Sequence, residues 1–353
     1  MTYALMKNPA HTRVSYQDSD MLALNELTIF ADIIFAKHIR HAYIGDVPYV
    51  LFDCEQPFSA SASSILSRLS FVYAIFEVLP CEDTPILKPI ALTPNYFIAP
   101  ELSTILKYSG KTNELFTRLM LNIAQTQIKN PPESLNMNLN ILDPLAGKGT
   151  TLYEALMQGH NAYGVEIDAK IAGESVVYLK KYLETARYKH ENHTEKISGQ
   201  SLMGKFTAVR NQIKISPPKA KQDTPVSPKP VEGYRHFEIV AGDTRNTSAY
   251  FKKNHFHAII ADLPYGVQHS SKKPQNIGFT RNALGLISEA MPSWVRVLKP
   301  GGVIVLAWNL FLISKAEMAE LLTQHGFAIP DLGVDFSHRV DQAIDRDFIV
   351  GVL

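Results

Sequence analysis

The chain has 353 residues, 46% hydrophobic and 20% charged, which excludes a disordered tail and allows two domains or one large α/β unit with a full core. Its formal net charge of +1 carries no global signal for a polyanionic partner. No run of about 18 apolar residues is present, so no membrane span is expected.

In chain order, the start MTYALMKNPAH lacks the apolar core and small-residue cleavage site of a signal peptide, and a cytoplasmic location is expected. YALM, the amphipathic run Asp18 to Phe35, PYVLFDC, the Ser-rich helix start SASASSILSRL and SFVYAIFEVL then alternate strand and helix patterns. They read as a small α+β domain over residues 1–90, with a boundary near the Pro-containing stretch Asp83 to Pro94. A connecting segment, 91–135, holds a helix from Asn113 to Ile128, with Leu115, Leu119 and Ile123 at helical spacing before a break at Pro131 and Pro132. From Leu139 the pattern becomes strand, glycine turn, helix, strand, repeated over a domain of 136–353. Such repetition indicates parallel βαβ units with right-handed crossovers.

The first of these units is NILDPLAGKGTTLYEALMQGHNAYGVEID. A strand ends at Asp143, a turn follows at Gly147 and Gly149, a helix runs from about Thr150 to Met157, and a second strand ends at Glu166. Glycines let a ligand approach the backbone, and the helix start leaves N–H groups beside it. An acid about 20 residues past such a turn suits ribose hydroxyls, and Glu166 stands there. A bare G-x-G also serves as a tight strand-to-helix turn with no ligand. Here Asp143 closes the strand, the turn reads A-G-x-G, and Leu152 occupies the place of a third glycine. These features point away from a dinucleotide and toward S-adenosylmethionine.

Other signals are weaker. Cys54 and Cys81 form no CxxC pattern and read as reduced thiols. His190 with His193, and His255 with His257, lack acidic or Cys partners at ligand spacing, so no metal is expected. SGKTN at Ser109 to Asn113 resembles a phosphate loop, but Ile105 stands where its first glycine belongs. Between Lys180 and Pro230 eleven Lys and Arg face four Asp and Glu, with five prolines. This basic, Pro-rich insertion, about 188–235, reads equally as a phosphate-contacting segment and as a solvated loop.

DPLAGKGTTLYEAL and GVEID, with AGD at Ala241 to Asp243 and DLPYG at Asp262 to Gly266, resemble the class I S-adenosylmethionine-dependent methyltransferases that modify exocyclic amines. The resemblance covers roughly Asn138 to Leu353, and it is nearest to the THUMP-linked RNA guanine-N(2) methyltransferases, including those acting on guanosine 10 of tRNA. ELTIFADIIF and SRLSFVYAIFEVL resemble that family's N-terminal region, although the chain before the catalytic part is short for a complete THUMP domain. The resemblance implies a Rossmann-like α/β sheet beside the small N-terminal α+β domain, S-adenosyl-L-methionine as cofactor, and RNA, tRNA above all, as partner. It assigns Glu166 to the ribose, Asp243 to the adenine amine, and the turn from Asp143 through Pro144, Ala146, Gly147 and Gly149 to Thr150 to the methionine end. Thr112 or Asn113 would cover the cofactor, and Asp168 would cap the next helix.

ADLPYGV, Ala261 to Val267, then acquires a chemical reading. Asp262 would end a strand at the carboxyl edge of the sheet, where open α/β sheets hold ligands. Pro264 drives Leu263 into an extended conformation, so the Asp262 carboxylate and the Leu263 carbonyl can accept from one exocyclic amine. Tyr265 would offer a face on which a displaced base stacks. Alone, D-x-P-Y is also an ordinary turn composition. DNA adenine-N(6) methyltransferases more often carry N-P-P-Y or D-P-P-Y; they and an inactive RNA-binding homologue are the alternatives. FSHRVDQAIDRDFIVGVL reads as a hairpin closing the sheet, in which His338 and Arg339 are either structural or substrate-facing.

Overall fold

A computed structural model describes residues 1–8, 13–92, 96–104, 113–128, 135, 137–201, 203–217, 233–263, 283–340 and 342–353, with the backbone alone for 13–18. The chain forms two compact units. The described residues of the first lie within 1–95 and 331–345, and those of the second within 96–220, 230–330 and 346–353.

The first unit is an antiparallel sheet with helices. Its strands β1 (Thr2–Lys7), β2 (Ala36–Ile44), β3 (Val47–Cys54), β4 (Val72–Leu79) and β5 (Ile86–Ile90) lie in the order β2-β3-β1-β4-β5. Register places Tyr3 opposite Phe52, and Leu5 opposite Val50 and Ile75, so one face of the pleat carries large apolar groups. Leu27 and Phe30 of α1 (Arg13–Ile34) are as fully buried as that face. The Ser-rich segment gives α2 (Ala60–Leu66), whose cap Ser59 accepts from the Ala62 N–H at 3.0 Å.

The second unit holds α3 (Glu101–Thr104), α4 (Glu114–Gln127), β6 (Asn140–Asp143), α5 (Thr150–Met157), β7 (Asn161–Glu166), α6 (Ala169–Thr185), β8 (His190–Ser201), β9 (Gly204–Ile215), β10 (Arg235–Ala241), α7 (Thr247–Tyr250), β11 (Phe256–Asp262), α8 (Ala283–Val297), β12 (Leu298–Asn309) and α9 (Lys315–Gln324). β14 (Asp345–Val352) lies in this unit from Arg346 onward, while the two-residue β13 (His338–Arg339) falls in the first unit. The sheet runs β14-β12-β11-β6-β7-β10-β9-β8. β6, β7, β10, β11 and β12 are mutually parallel, and β14 is antiparallel to β12. This is a Rossmann-like α/β sheet, with the chain stepping outward from β6 to β7 and β10 on one side and to β11 and β12 on the other. Such a reversal of strand order leaves a crevice at the carboxyl edge.

Two features correct or extend the sequence reading. The described part of the basic insertion is built largely as sheet: β8 and β9 form a long hairpin that adds two antiparallel strands beside β10. The outer strand, β8, exposes Glu191, His193 and Lys196, the charged pattern that keeps a free edge from pairing with another chain. The helix expected in a connecting segment, α4, packs instead within the second unit, against α5, β11 and β12. Its contact with α5 is a polar seam. Arg118 Nε donates to the fully buried Glu154 at 2.9 Å, Gln125 donates to Gln158 at 2.8 Å, and Gln158 donates to Asn122 at 2.9 Å. Removing one partner of such a buried ion pair costs about 3 to 5 kcal/mol, because the other charge stays behind.

Candidate functional site

The crevice is built from strand ends. In register, Asp143 lies beside Gly164 on β7, Glu166 beside Ala241 on β10, and Asp262 beside Ala307 on β12. Asp243 follows β10 by two residues. Four acids therefore stand along one edge in the order Asp262, Asp143, Glu166, Asp243, with the strand-order reversal between the first two.

Between β6 and α5 the chain turns tightly. Ala146 N–H donates to Val165 O at 2.9 Å, and Gly149 N–H donates to Ala146 O at 2.8 Å. Gly147 and Gly149 have φ of 51° and 92°, left-handed values that residues with a Cβ rarely adopt. The two glycines differ in surroundings. A Cβ on Gly149 would meet Ser175 Oγ at 2.7 Å, whereas one on Gly147 would meet nothing within 4 Å. Gly149 thus serves packing against α6, and Gly147 borders open space. Pro144, Ala146 and Thr150 are buried around the turn.

Glu166 is tied to that turn. Its carboxylate accepts from Gly147 N–H at 2.9 Å and Asp168 N–H at 2.8 Å, while Asp168 caps α6 through the N–H groups of Lys170 and Ile171. Burial pushes the Glu166 carboxyl above its usual range, with the backbone donors opposing the shift. Asp143 is 3% exposed and accepts from Leu145 N–H at 3.0 Å and from the Thr151 side chain. Burial, with smaller repulsion from Asp262 and Glu166, raises it to about 7. Among the described residues, neither Asp143 nor Glu166 has an ion-pair partner.

The outer two acids do. Asp243 accepts from Arg245 Nη2 at 2.6 Å, from Nε at 3.1 Å and from the Arg245 backbone N–H at 2.9 Å. Burial alone would raise its pKa, and the Arg245 contacts hold it below the usual carboxylate range. The carboxylate that resemblance assigned to an adenine amine is therefore mostly occupied, since a carboxylate offers about four lone-pair sites. Asp262 faces Arg346 Nη2 across 3.7 Å, both side chains being buried. Leu263 N–H donates to Ala307 O at 2.8 Å, which fixes the chain as it leaves β11.

Pro264, Tyr265 and Thr112 lie outside the described residues. Asn113 caps α4, its side chain accepting from Leu115 N–H at 2.8 Å. His338 and Arg339 belong to the first unit. Arg245 and Arg346 were missed in the sequence, although each stands within two residues of an acid that could have marked it, in GDTR and DRDF. A groove of about 920 Å³ runs beside α7 and α8, lined by Arg245, Lys253, Glu289 and Arg296 among others, and contains none of the four acids. The described residues include no cluster of three or more His, Cys, Asp or Glu able to hold a metal, and no helix long and apolar enough to cross a membrane.

No family model and no curated protein matches the chain. Among solved structures it is similar to TrmN from Thermus thermophilus, at 14% identity and a TM-score of 0.39, covering 76% of this chain and 56% of that one. It is also similar to precorrin-6y C5,15-methyltransferase from Geobacter metallireducens, at 12% identity and a TM-score of 0.39, covering 74% and 100%. A third is the magnesium protoporphyrin IX methyltransferase of Synechocystis with bound SAM, at 13% identity and a TM-score of 0.34, covering 69% and 86%.

Proposed function

We propose that the chain is an S-adenosylmethionine-dependent methyltransferase acting on the exocyclic amine of guanine in RNA, tRNA above all. The observation that carries this reading is the pair Asp143 and Glu166: a buried and a half-buried carboxyl, neither with a cationic partner among the described residues, next to the strand-order reversal and beside a glycine that borders open space. Buried, perturbed acids in a crevice mark functional sites, and these fit a cationic ligand bearing ribose hydroxyls. Glu166, aimed by two backbone N–H groups, takes the hydroxyls. Gly147 lets the ligand lie against the turn, and Asp143 supplies negative charge toward the methionine end.

When bound, S-adenosylmethionine would supply a methyl group on a sulfonium, already activated for transfer to an amine held in line behind it. The protein's contribution is positioning and electrostatics. Asp262 and the Leu263 carbonyl accept from the amine and keep its lone pair directed inward, and the Asp262 carboxylate stabilises the charge growing on nitrogen. Tyr265 stacks the displaced base. Asp243, largely committed to Arg245, adds little more than one oxygen to the adenine amine.

The test is tritiated-methyl transfer from S-adenosylmethionine to bulk tRNA, rRNA and DNA, followed by nucleoside analysis. Label in N(2)-methylguanosine of tRNA is the expected result. Label in N(6)-methyladenine of DNA would replace this reading with the DNA one.

A further inference from the structure

Arg346 is a buried cation that the sequence reading did not use. It lies on β14 in the second unit, opposite Asn309 of β12, while Ala307 of β12 lies between Phe348 of β14 and Asp262 of β11. Its guanidinium therefore reaches back over β12 to face Asp262 Oδ2 at 3.7 Å. The central carbon of the group lies over the Phe116 ring of α4, 5.1 Å from its centroid, and that ring packs against Phe348 at 5.9 Å. The side chain is only 7% exposed. Burying a guanidinium is costly unless a fixed carboxylate faces it.

Resting on the methyltransferase reading above, we infer that Arg346 is a positioning residue that sets the direction of the Asp262 carboxylate. In strand order the Asp262 carboxylate stands between an acid and a guanidinium. Asp143, on the β6 side, repels it, and Arg346, on the β14 side, attracts it. The distance is that of an ion pair and exceeds a direct hydrogen bond, so Arg346 acts through its charge, and Phe116 holds that charge in place. Lysine keeps the charge and loses the plane that stacks on the ring.

The experiment measures single-turnover transfer from tritiated S-adenosylmethionine to bulk tRNA by Arg346→Gln and Arg346→Lys, each also made in an Asp262→Asn background, with cofactor affinity followed by calorimetry and folding by thermal melts. Arg346→Gln should lower the maximal rate about 10-fold to 100-fold, the usual loss when a supporting contact to a functional group is removed. Cofactor affinity and tRNA half-saturation should change little, and Arg346→Lys should recover most of the rate. In the Asp262→Asn background the same Gln substitution should cost no more than about twofold, the ordinary error of additivity. An equal loss in both backgrounds, a loss confined to tRNA half-saturation, or a Lys variant no better than Gln would overturn the inference. A wild-type chain that transfers no methyl to any nucleic-acid pool would instead overturn the function on which it rests, whereas an active wild type with an unimpaired Arg346→Gln overturns the positioning role alone.

Discussion

The four acids of the carboxyl edge are of two kinds. Asp262 and Asp243, at its ends, each face a guanidinium, at 3.7 and 2.6 Å. Asp143 and Glu166, between them, meet only backbone and hydroxyl donors among the described residues, and burial raises both. One sheet edge thus keeps charge settled at its flanks and unsettled at its centre. Under the proposed function the difference becomes a division of labour: the centre faces the cationic cofactor, and the flanks orient or pack.

If that division is right, substitutions along the edge should separate cleanly. The largest effect belongs to Asp262→Asn, which should lower single-turnover methyl transfer to bulk tRNA by about 10²-fold to 10³-fold, the worth of one electrostatic contact to a developing charge. Calorimetry should find its cofactor affinity intact. Loss of both together would mean that flank and centre are one subsite.

Glu166→Ala should act in the opposite sense. Removing a charged acceptor of hydrogen bonds should weaken S-adenosylmethionine binding about 10-fold to 100-fold, and a variant that binds normally would remove Glu166 from the centre. Asp243→Asn should be mildest. Its pair with Arg245 is partly exposed, and such pairs are worth about 1 kcal/mol or less, so cofactor affinity should fall by less than about fivefold. A larger loss would place Asp243 with the central acids, as the family resemblance implies.

Much of this edge was legible in the sequence, because strand ends and helix starts are local. The strands closing at Asp143, Glu166 and Asp262, the helix over Thr150–Met157 and the cap at Asp168 all follow from hydrophobic runs stopped by glycine, proline or acid. Arg245 was legible as a neighbour of Asp243 in GDTR, but the partner of Arg346 was not. Whether Arg346 meets Asp262 depends on which strands become neighbours, and 84 residues of chain separate the two. The β8–β9 hairpin was obscured for a different reason. Its outer strand is polar on both faces, as a free edge must be, so it carries no alternation to read. The seam of Arg118, Asn122 and Gln125 against Glu154 and Gln158 was hidden because sequence alone shows polar residues, not which helix will bury them.

Protonation offers a finer view of the same contrast. The folded chain binds a proton at Asp143 more tightly than an unfolded chain does. The stability this contributes is complete below the ordinary value of 3.8 and is lost as pH rises through about 7. Asp143→Asn should therefore flatten the pH dependence of the melting temperature across that window, measured without ligand. An unchanged profile would show that the carboxyl is already ionised in the native chain.

The most direct test of the central claim is calorimetric binding of S-adenosylmethionine as a function of pH. A cation received between Asp143 and Glu166 favours their ionised forms, so binding must release a proton wherever Asp143 is still protonated. Affinity should rise as pH increases from about 6 to about 8, by up to about tenfold for one unit below the Asp143 pKa. The demethylated product, which lacks the sulfonium charge, should change less. A folded chain that binds neither compound, or binds both with the same flat pH profile, would contradict the account.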